Sequence, residues 1–557
     1  MSSSPPSFSA QTRRDNLDRL RSTQVDILVI GGGVTGVSIA RDAALRGYST
    51  ALLEQADFAS GTSSKSSKLV HGGVRYLENF EFGLVFEASR ERRYALRNSP
   101  HLVRPLPFVF PVHKDDPRPL WQIAVGMWLY DAMATFRNIE NHQIWGKGRT
   151  LREEPVIGPQ GLTGAARYYD AATDDARLTL AIAQDAHQAG ALVANYASAV
   201  GLLQEGRKVV GAQVRDQVTG DEFEVRARVV ANATGPWTDY LLRMADPDAV
   251  RRLRPTKGVH IVVPRQCAWS QAAITMNSPR DGRLMFLIPW GQFSVLGTTD
   301  TDYAGDPAHV EADAGDIAYI LEAARHAFPI TGLTEADVIS AYAGLRPLIG
   351  SDAPTGYKVS REHQILNTAP GFFTIAGGKL TTWRSMAEEM VEELARYLGR
   401  EQGLPAPATQ PGRTADRILP GGDIQDWYTY LAHRVVELSD RLSPETVTHL
   451  ISTYGTRYTN VLALAERDEQ LAEPLFTGLP YLKAEVIHAV RHEMALTLED
   501  VLTRRTHILD QTRDQGLETV VEVARLMEAE LGWSEGEVAG QEAAYRQVVE
   551  RVRHWRG

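Results

Sequence analysis

The sequence predicts an α/β protein of several domains: a Rossmann-like dinucleotide-binding domain, an antiparallel-sheet domain beside it, and an all-α C-terminal domain. Three observations carry that prediction. Residues 25–47 run from a mostly apolar strand through Gly31, Gly33 and Gly36, at G-x-G-x-x-G spacing, into a helix. Between residues 255 and 368, short β-rich runs at 259–263, 284–288 and 293–296 read as strands of a more antiparallel sheet. Beyond residue 410 long helical patterns dominate, with Val486, Val490 and Met494 recurring at four-residue spacing.

Each element of the first unit has a physical task. Gly31 permits the tight turn, Gly33 lets the backbone approach a diphosphate, and Gly36 lets the helix lie close on the strand. Val34 and Thr35 open that helix, whose N-terminus faces the phosphates. A second strand, 49–53, ends in Glu54, a carboxylate placed to accept hydrogen bonds from an adenosine ribose and to disfavour a 2′-phosphate. These residues do not by themselves separate NAD from FAD.

The loop at 61–77, GTSSKSSKLVHGGVRYL, is rich in hydroxyls and cations and reads as a ligand-wrapping segment rather than a solvated linker. Residues 81–98 read as a helix stopped by Pro100, 170–197 contain another, and 202–230 alternate as strands leading into Ala233-Thr-Gly-Pro-Trp237. An apolar strand, a glycine pair and a helix recur at 371–398, aiming a second helix N-terminus at something anionic. The expected organisation is an N-terminal extension at 1–24, a discontinuous cofactor domain from 25–254 and 369–398, and a substrate-binding domain at 255–368. Substrate-side segments are inserted around 100–165, 399–418 is a linker, and 419–557 is the helical domain.

Composition narrows the function. The chain of 557 residues exceeds one ordinary core, and its 43% apolar content is ample to bury two or three. A formal charge of −10 argues against non-specific nucleic-acid binding while leaving room for a cationic pocket. The single cysteine, Cys267, excludes an internal disulfide framework and a thiolate metal cluster. The first 24 residues lack an apolar signal-peptide core, and the most membrane-like stretch, 121–130, is too short to span a bilayer. The expectation is a cytoplasmic location.

Taken together the motifs resemble the FAD-dependent, respiratory glycerol-3-phosphate dehydrogenase family, within the glycine oxidase and D-amino-acid oxidase-like flavoproteins. The match runs through Gly31-Gly-Gly-Val-Thr-Gly36, the whole 62–78 segment, Thr173-Asp-Asp-Ala-Arg177, Asn232-Ala-Thr-Gly-Pro-Trp237 and Lys257-Gly-Val-His260. It continues in Gly297-Thr-Thr-Asp300, Gly344-Leu-Arg-Pro347, Gly377-Gly-Lys-Leu-Thr-Thr382 and, in the helical domain, Ala489-Val-Arg-His-Glu493 with Arg504-Arg-Thr506. The resemblance implies a Rossmann-like FAD-binding domain that oxidises sn-glycerol 3-phosphate to dihydroxyacetone phosphate and passes electrons to a membrane quinone. FAD contacts are expected from Gly31, Gly33, Val34, Thr35, Gly36 and Glu54, and from Thr62, Ser63, Ser64, Ser67, Lys68, His71, Gly72 and Gly73. Further contacts fall on Ala233, Thr234, Gly235, Trp237, Gly378, Lys379, Leu380 and Thr381.

The same resemblance makes His260 the base that takes the alcohol proton while the C2 hydrogen leaves as hydride, with His71 second in line. A dianionic phosphate needs planar cationic donors, and Arg346 is the first candidate, with Arg75 and Arg361 beside it and Tyr76 shaping the pocket. Lys379 either bonds the substrate or stabilises charge on the reduced cofactor. Two alternatives stand: a glycerol-3-phosphate oxidase that uses dioxygen, and a flavin-binding sensor without turnover. Nothing points to a metal. Quinone use implies peripheral attachment to the cytoplasmic membrane, with residues 121–130 and the N-terminal segment as contacts, while Glu388, Glu389, Glu392 and Glu393 oppose anionic headgroups. A homodimer is compatible with all of this.

Overall fold

The computed structural model describes residues 7–72, 82–133, 139–350, 362–404 and 413–556. Val25–Ile30 is the centre of an eight-stranded sheet, flanked by the parallel strands Glu222–Asn232 and Thr50–Leu53. Phe372–Gly377 and Leu192–Ala194 extend it in parallel, and His363–Ala369 closes one edge antiparallel. Near-continuous apolar strands of this kind require cover on both faces. Ile27 and Val29 point into a core shared with the helices Val34–Arg46, Asp175–Gln188 and Trp383–Gln402. Leu28 and Ile30 point the other way, onto Leu17 and Leu20 of the helix Ala10–Ser22 and onto the hairpin Ala197–Glu205/Lys208–Asp216.

A ten-stranded sheet stands beside it. Its order is Thr301–Asp302, Thr256–Pro264, Phe293–Gly297, Leu284–Trp290, Ala273–Asn277, Val103–His113, Leu162–Thr173 and Leu69–Val70, with Ser340–Arg346 and Gln143–Gly146 paired off that path. The pairing is antiparallel throughout except between Ala273–Asn277 and Val103–His113. Four of the strands therefore come from residues before 255, and His363–Ala369 belongs to the other sheet. Val103–His113 is hard to read as a strand because it holds Pro105, Pro107 and Pro111. These share one parity, so the missing N–H groups all fall on one edge.

The helical domain, from Trp427–Glu437 to Glu535–Val552, builds two cores of its own. The four-residue repeat breaks at its last member. Val486 and Val490 lie in the helix Ala484–His492, whereas Met494 lies past its end at φ +55° and packs into the core of the first sheet. Trp555 is buried in the core of the second sheet.

Candidate active site and cofactor cradle

A cavity of about 570 Å³ opens where the strand ends Ile30, Leu53 and Gly377 meet the second sheet. That volume is in the range of a cofactor or substrate site. One end is built on backbone. Gly31 takes φ +113°, and a Cβ there would lie 2.6 Å from the Ala233 carbonyl oxygen. A Cβ on Gly36 would overlap the Gly31 carbonyl, so two glycines are needed for the turn and helix to touch. The Ser63 hydroxyl accepts from the Val34 N–H at 2.9 Å, at the first turn of Val34–Arg46. Glu54 is buried and accepts from the Gly32 and Ala56 N–H groups at 2.5 and 2.9 Å. Burial outweighs those bonds and raises its pKa. A carboxylate has further lone pairs for a ribose, so strand, bare turn, helix start and acid all fit FAD.

The expected residues separate into two groups. Gly31, Gly33, Val34, Thr35, Glu54, Thr62, Ser63, Ser67, His71, Ala233, Thr234, Gly235, Trp237, Gly378, Lys379, Leu380 and Thr381 line this one cavity, together with His260 and Arg346. Gly36, Ser64, Lys68 and Gly72 do not. Gly36 acts through helix packing, and Ser64 ends a single 3-10 turn, Thr62–Ser64. Lys68 is buried on Asp175, its Nζ 2.7 Å from Oδ1, and the same carboxylate accepts from the Ser66 N–H and hydroxyl at 3.0 and 2.7 Å. The ion pair braces the loop. Gly72 donates its N–H to Asp170 at 2.9 Å, and a Cβ there would overlap the Tyr130 hydroxyl. Gly73, Arg75, Tyr76 and Arg361 lie outside the described residues.

Sheet register assembles the other end. His260 sits opposite Tyr342 on one side and Gly297 on the other, and Thr256 opposite Arg346. The His260 ring is 2% exposed and stacks on Tyr342 with centroids 4.9 Å apart. Its Nε2 is 2.8 Å from the Ser67 hydroxyl, while Nδ1 is buried without a hydrogen-bond partner among the described residues. Burial first, then Arg346 and Lys68, holds its pKa down to about 3, so the ring is neutral at physiological pH. Arg346 donates to Asp300 Oδ1 at 3.2 Å and to Thr298 Oγ1 at 3.1 Å.

Several residues on this wall escaped the sequence reading although their motifs were visible. A Cβ on Gly258 would fall 2.7 and 2.8 Å from the Arg346 guanidinium nitrogens, one on Gly297 2.5 Å from His260 Cδ2, and one on Gly344 2.8 Å from Lys65 Cβ. Thr298 and Asp300 aim the arginine. Spacing along the chain carried no signal for these roles, which arise from strand register.

Comparison with known proteins agrees with this geometry. The FAD dependent oxidoreductase family matches residues 26–392, and the C-terminal domain of alpha-glycerophosphate oxidase matches residues 412–538. "Glycerol-3-phosphate dehydrogenase 2" of Mycobacterium tuberculosis (strain ATCC 25618 / H37Rv) is 41% identical over 536 residues, 96% of this chain and 89% of the relative. The glycerol-3-phosphate dehydrogenase of Synechocystis sp. is 35% identical over 552 residues, 96% of this chain and 98% of the relative. The structure of the glycerol-3-phosphate dehydrogenase from Bacillus halodurans complexed with FAD superimposes with a TM-score of 0.80 at 32% identity, covering 98% of both chains. An L-alpha-glycerophosphate oxidase from Mycoplasma pneumoniae, at 19% identity and a TM-score of 0.54 over 67% of this chain and 95% of its own, shares the fold. This chain belongs to the FAD-dependent glycerol-3-phosphate dehydrogenase family.

Proposed function

We propose that the protein oxidises sn-glycerol 3-phosphate to dihydroxyacetone phosphate and passes the electrons to a quinone at a membrane surface. The observation that carries this is the placing of a neutral imidazole and an aimed guanidinium on the wall of the same cavity that holds the dinucleotide cradle. FAD, held by Gly31, Gly33, the Val34 helix start, Glu54 and the 378–381 turn, supplies the two-electron acceptor for the substrate's C2 hydrogen. The chain's own residues do the rest. Arg346, steered by Asp300 and Thr298, binds the phosphate dianion. His260 Nε2, exchanging its Ser67 contact for the substrate hydroxyl, takes the alcohol proton. His71 is held by its backbone, its N–H donating to Thr381 Oγ1 at 3.0 Å and its carbonyl accepting back at 3.1 Å, and keeps second place.

The membrane part rests on a different observation. Among the described residues no helix is long and apolar enough to cross a bilayer. The helix Leu120–Met133 nevertheless turns Trp121, Val125, Trp128 and Leu129 to solvent, 43–66% exposed, along one stripe. Indole rings at that density suit a headgroup interface. The function is tested by mixing the yellow protein anaerobically with glycerol 3-phosphate, then offering a soluble quinone or air. Fast bleaching with quinone-driven reoxidation is expected. Fast reoxidation by air with peroxide release indicates the oxidase, and no bleaching removes the substrate assignment. Flotation with anionic liposomes that is unchanged in a Trp121→Ser/Trp128→Ser variant overturns the proposed contact.

A further inference from the structure

The end of the cavity that holds Glu54 is walled by two turns that hold each other. The Glu54 N–H donates to the Ala194 carbonyl at 2.9 Å, Tyr196 N–H to Ala56 at 2.8 Å, and Ala197 N–H to Glu54 at 2.7 Å. The first turn gives Leu53, Glu54 and Gln55 to the lining, the second Ala197, Ser198 and Ala199. Behind both lies a single segment of the helical domain, residues 493–505.

That contact is polar and fully buried. Asp57, three residues past Glu54 and 0% exposed, takes Arg504 Nε and Arg505 Nη1 on Oδ2, both at 2.6 Å. Its Oδ1 takes Arg505 Nη2 at 3.0 Å and Asn195 Nδ2 at 3.2 Å. Asn195 Nδ2 also donates to the Met494 carbonyl at 3.0 Å, and the neighbouring Tyr196 hydroxyl donates to Asp500 at 2.6 Å. Asp500 in turn accepts from Arg504 Nη2 at 2.7 Å and from the N–H groups of Leu496 and Thr497, while Arg505 Nη2 reaches the Glu493 carbonyl. Two carboxylates and two guanidiniums are thus paired in one buried cluster, so a shift of the Glu54 turn would break a buried ion pair. A binding turn that is already immobile loses little entropy when its ligand arrives.

We infer that residues 493–505 are the back wall of the FAD site, and that the Asp57–Arg504–Arg505 cluster sets how tightly FAD is held by immobilising the Glu54 turn. The helical domain on this view is part of the cofactor site although none of its described residues lines the cavity. The inference needs only FAD binding and stands apart from the substrate assignment.

The test is FAD affinity of refolded apoprotein, read by flavin fluorescence, beside the melting temperature of the same apoprotein. Asp57→Asn and Arg505→Lys are expected to weaken FAD about tenfold or more. Tyr196→Phe, which removes the hydroxyl's contacts to Asp500 and Thr497, is expected to weaken it about two- to fivefold. On heating, the flavin should leave each variant before the tryptophan signal reports unfolding. Unchanged FAD affinity in folded apoprotein, however far the melting temperature falls, overturns the inference and leaves a merely structural interface. Should the charged variants fail to fold, Tyr196→Phe decides alone.

Discussion

A single methyl group tests whether Arg346, as aimed by the strand register, binds the substrate phosphate. Gly258 lies in the strand Thr256–Pro264, facing Gly344 across the register. In Gly258→Ala the new Cβ would stand 2.7 and 2.8 Å from the Arg346 guanidinium nitrogens and 2.8 Å from Thr298 Oγ1, where ordinary contact begins near 3.4 Å. The arginine must therefore retreat by roughly 0.6 Å. Its bonds to Asp300 and Thr298 are already 3.2 and 3.1 Å long, so a movement of that size breaks at least one. The fold should barely notice, because the obstacle is the end of a flexible side chain. Losing one charge-assisted contact to phosphate is worth about 1.5–3 kcal/mol, which is about 10- to 150-fold in affinity. Anaerobic stopped-flow should show the substrate concentration for half-maximal bleaching rising by that factor, with FAD content and melting temperature near those of the parent. Unchanged affinity in FAD-loaded Gly258→Ala would refute the assignment of Arg346 to the phosphate.

Other perturbations probe the remaining steps. His260→Asn should retain FAD but lower the rate of flavin bleaching about 10²- to 10⁴-fold; a parent-like rate and pH profile would remove His260 as base. Gly36→Ala places a Cβ inside the Gly31 carbonyl, and the protein is expected to purify without flavin; a yellow variant would show that the turn can open. His101, His260 and His488 are each held down to about 3, by burial first and then by nearby cationic groups, with Glu493 partly opposing the effect at His488. Their folded pKa values are depressed, so the stability they allow is present above the unfolded value of about 6.5 and is lost as pH falls towards 3, at about 2 kcal/mol each by pH 5. Denaturant unfolding of His101→Asn should accordingly fall less between pH 7 and pH 5 than that of the parent. Equal losses would mean that His101 takes up its proton without unfolding.

The chain itself determined the fold class and a dinucleotide site, while FAD and the family came from the resemblance of its motifs. The physical reason is that a diphosphate turn is a local object. Gly31, Gly33 and Gly36 act within six residues, Glu54 follows on the next strand, and the second glycine pair at 377–378 repeats the device, so periodicity and spacing expose them. Most of the residues expected at the site line one cavity for the same reason. Tertiary structure decided what depends on distant segments meeting. Lys68, expected among the cofactor contacts, is paired with Asp175, more than a hundred residues away. Strand register, invisible in a linear reading, sets His260 between Gly297 and Tyr342 and turns Asp300 and Thr298 into guides for Arg346. Folding also carried Arg504 and Arg505 from the helical domain to Asp57, whose buried carboxylate would be costly without paired cations.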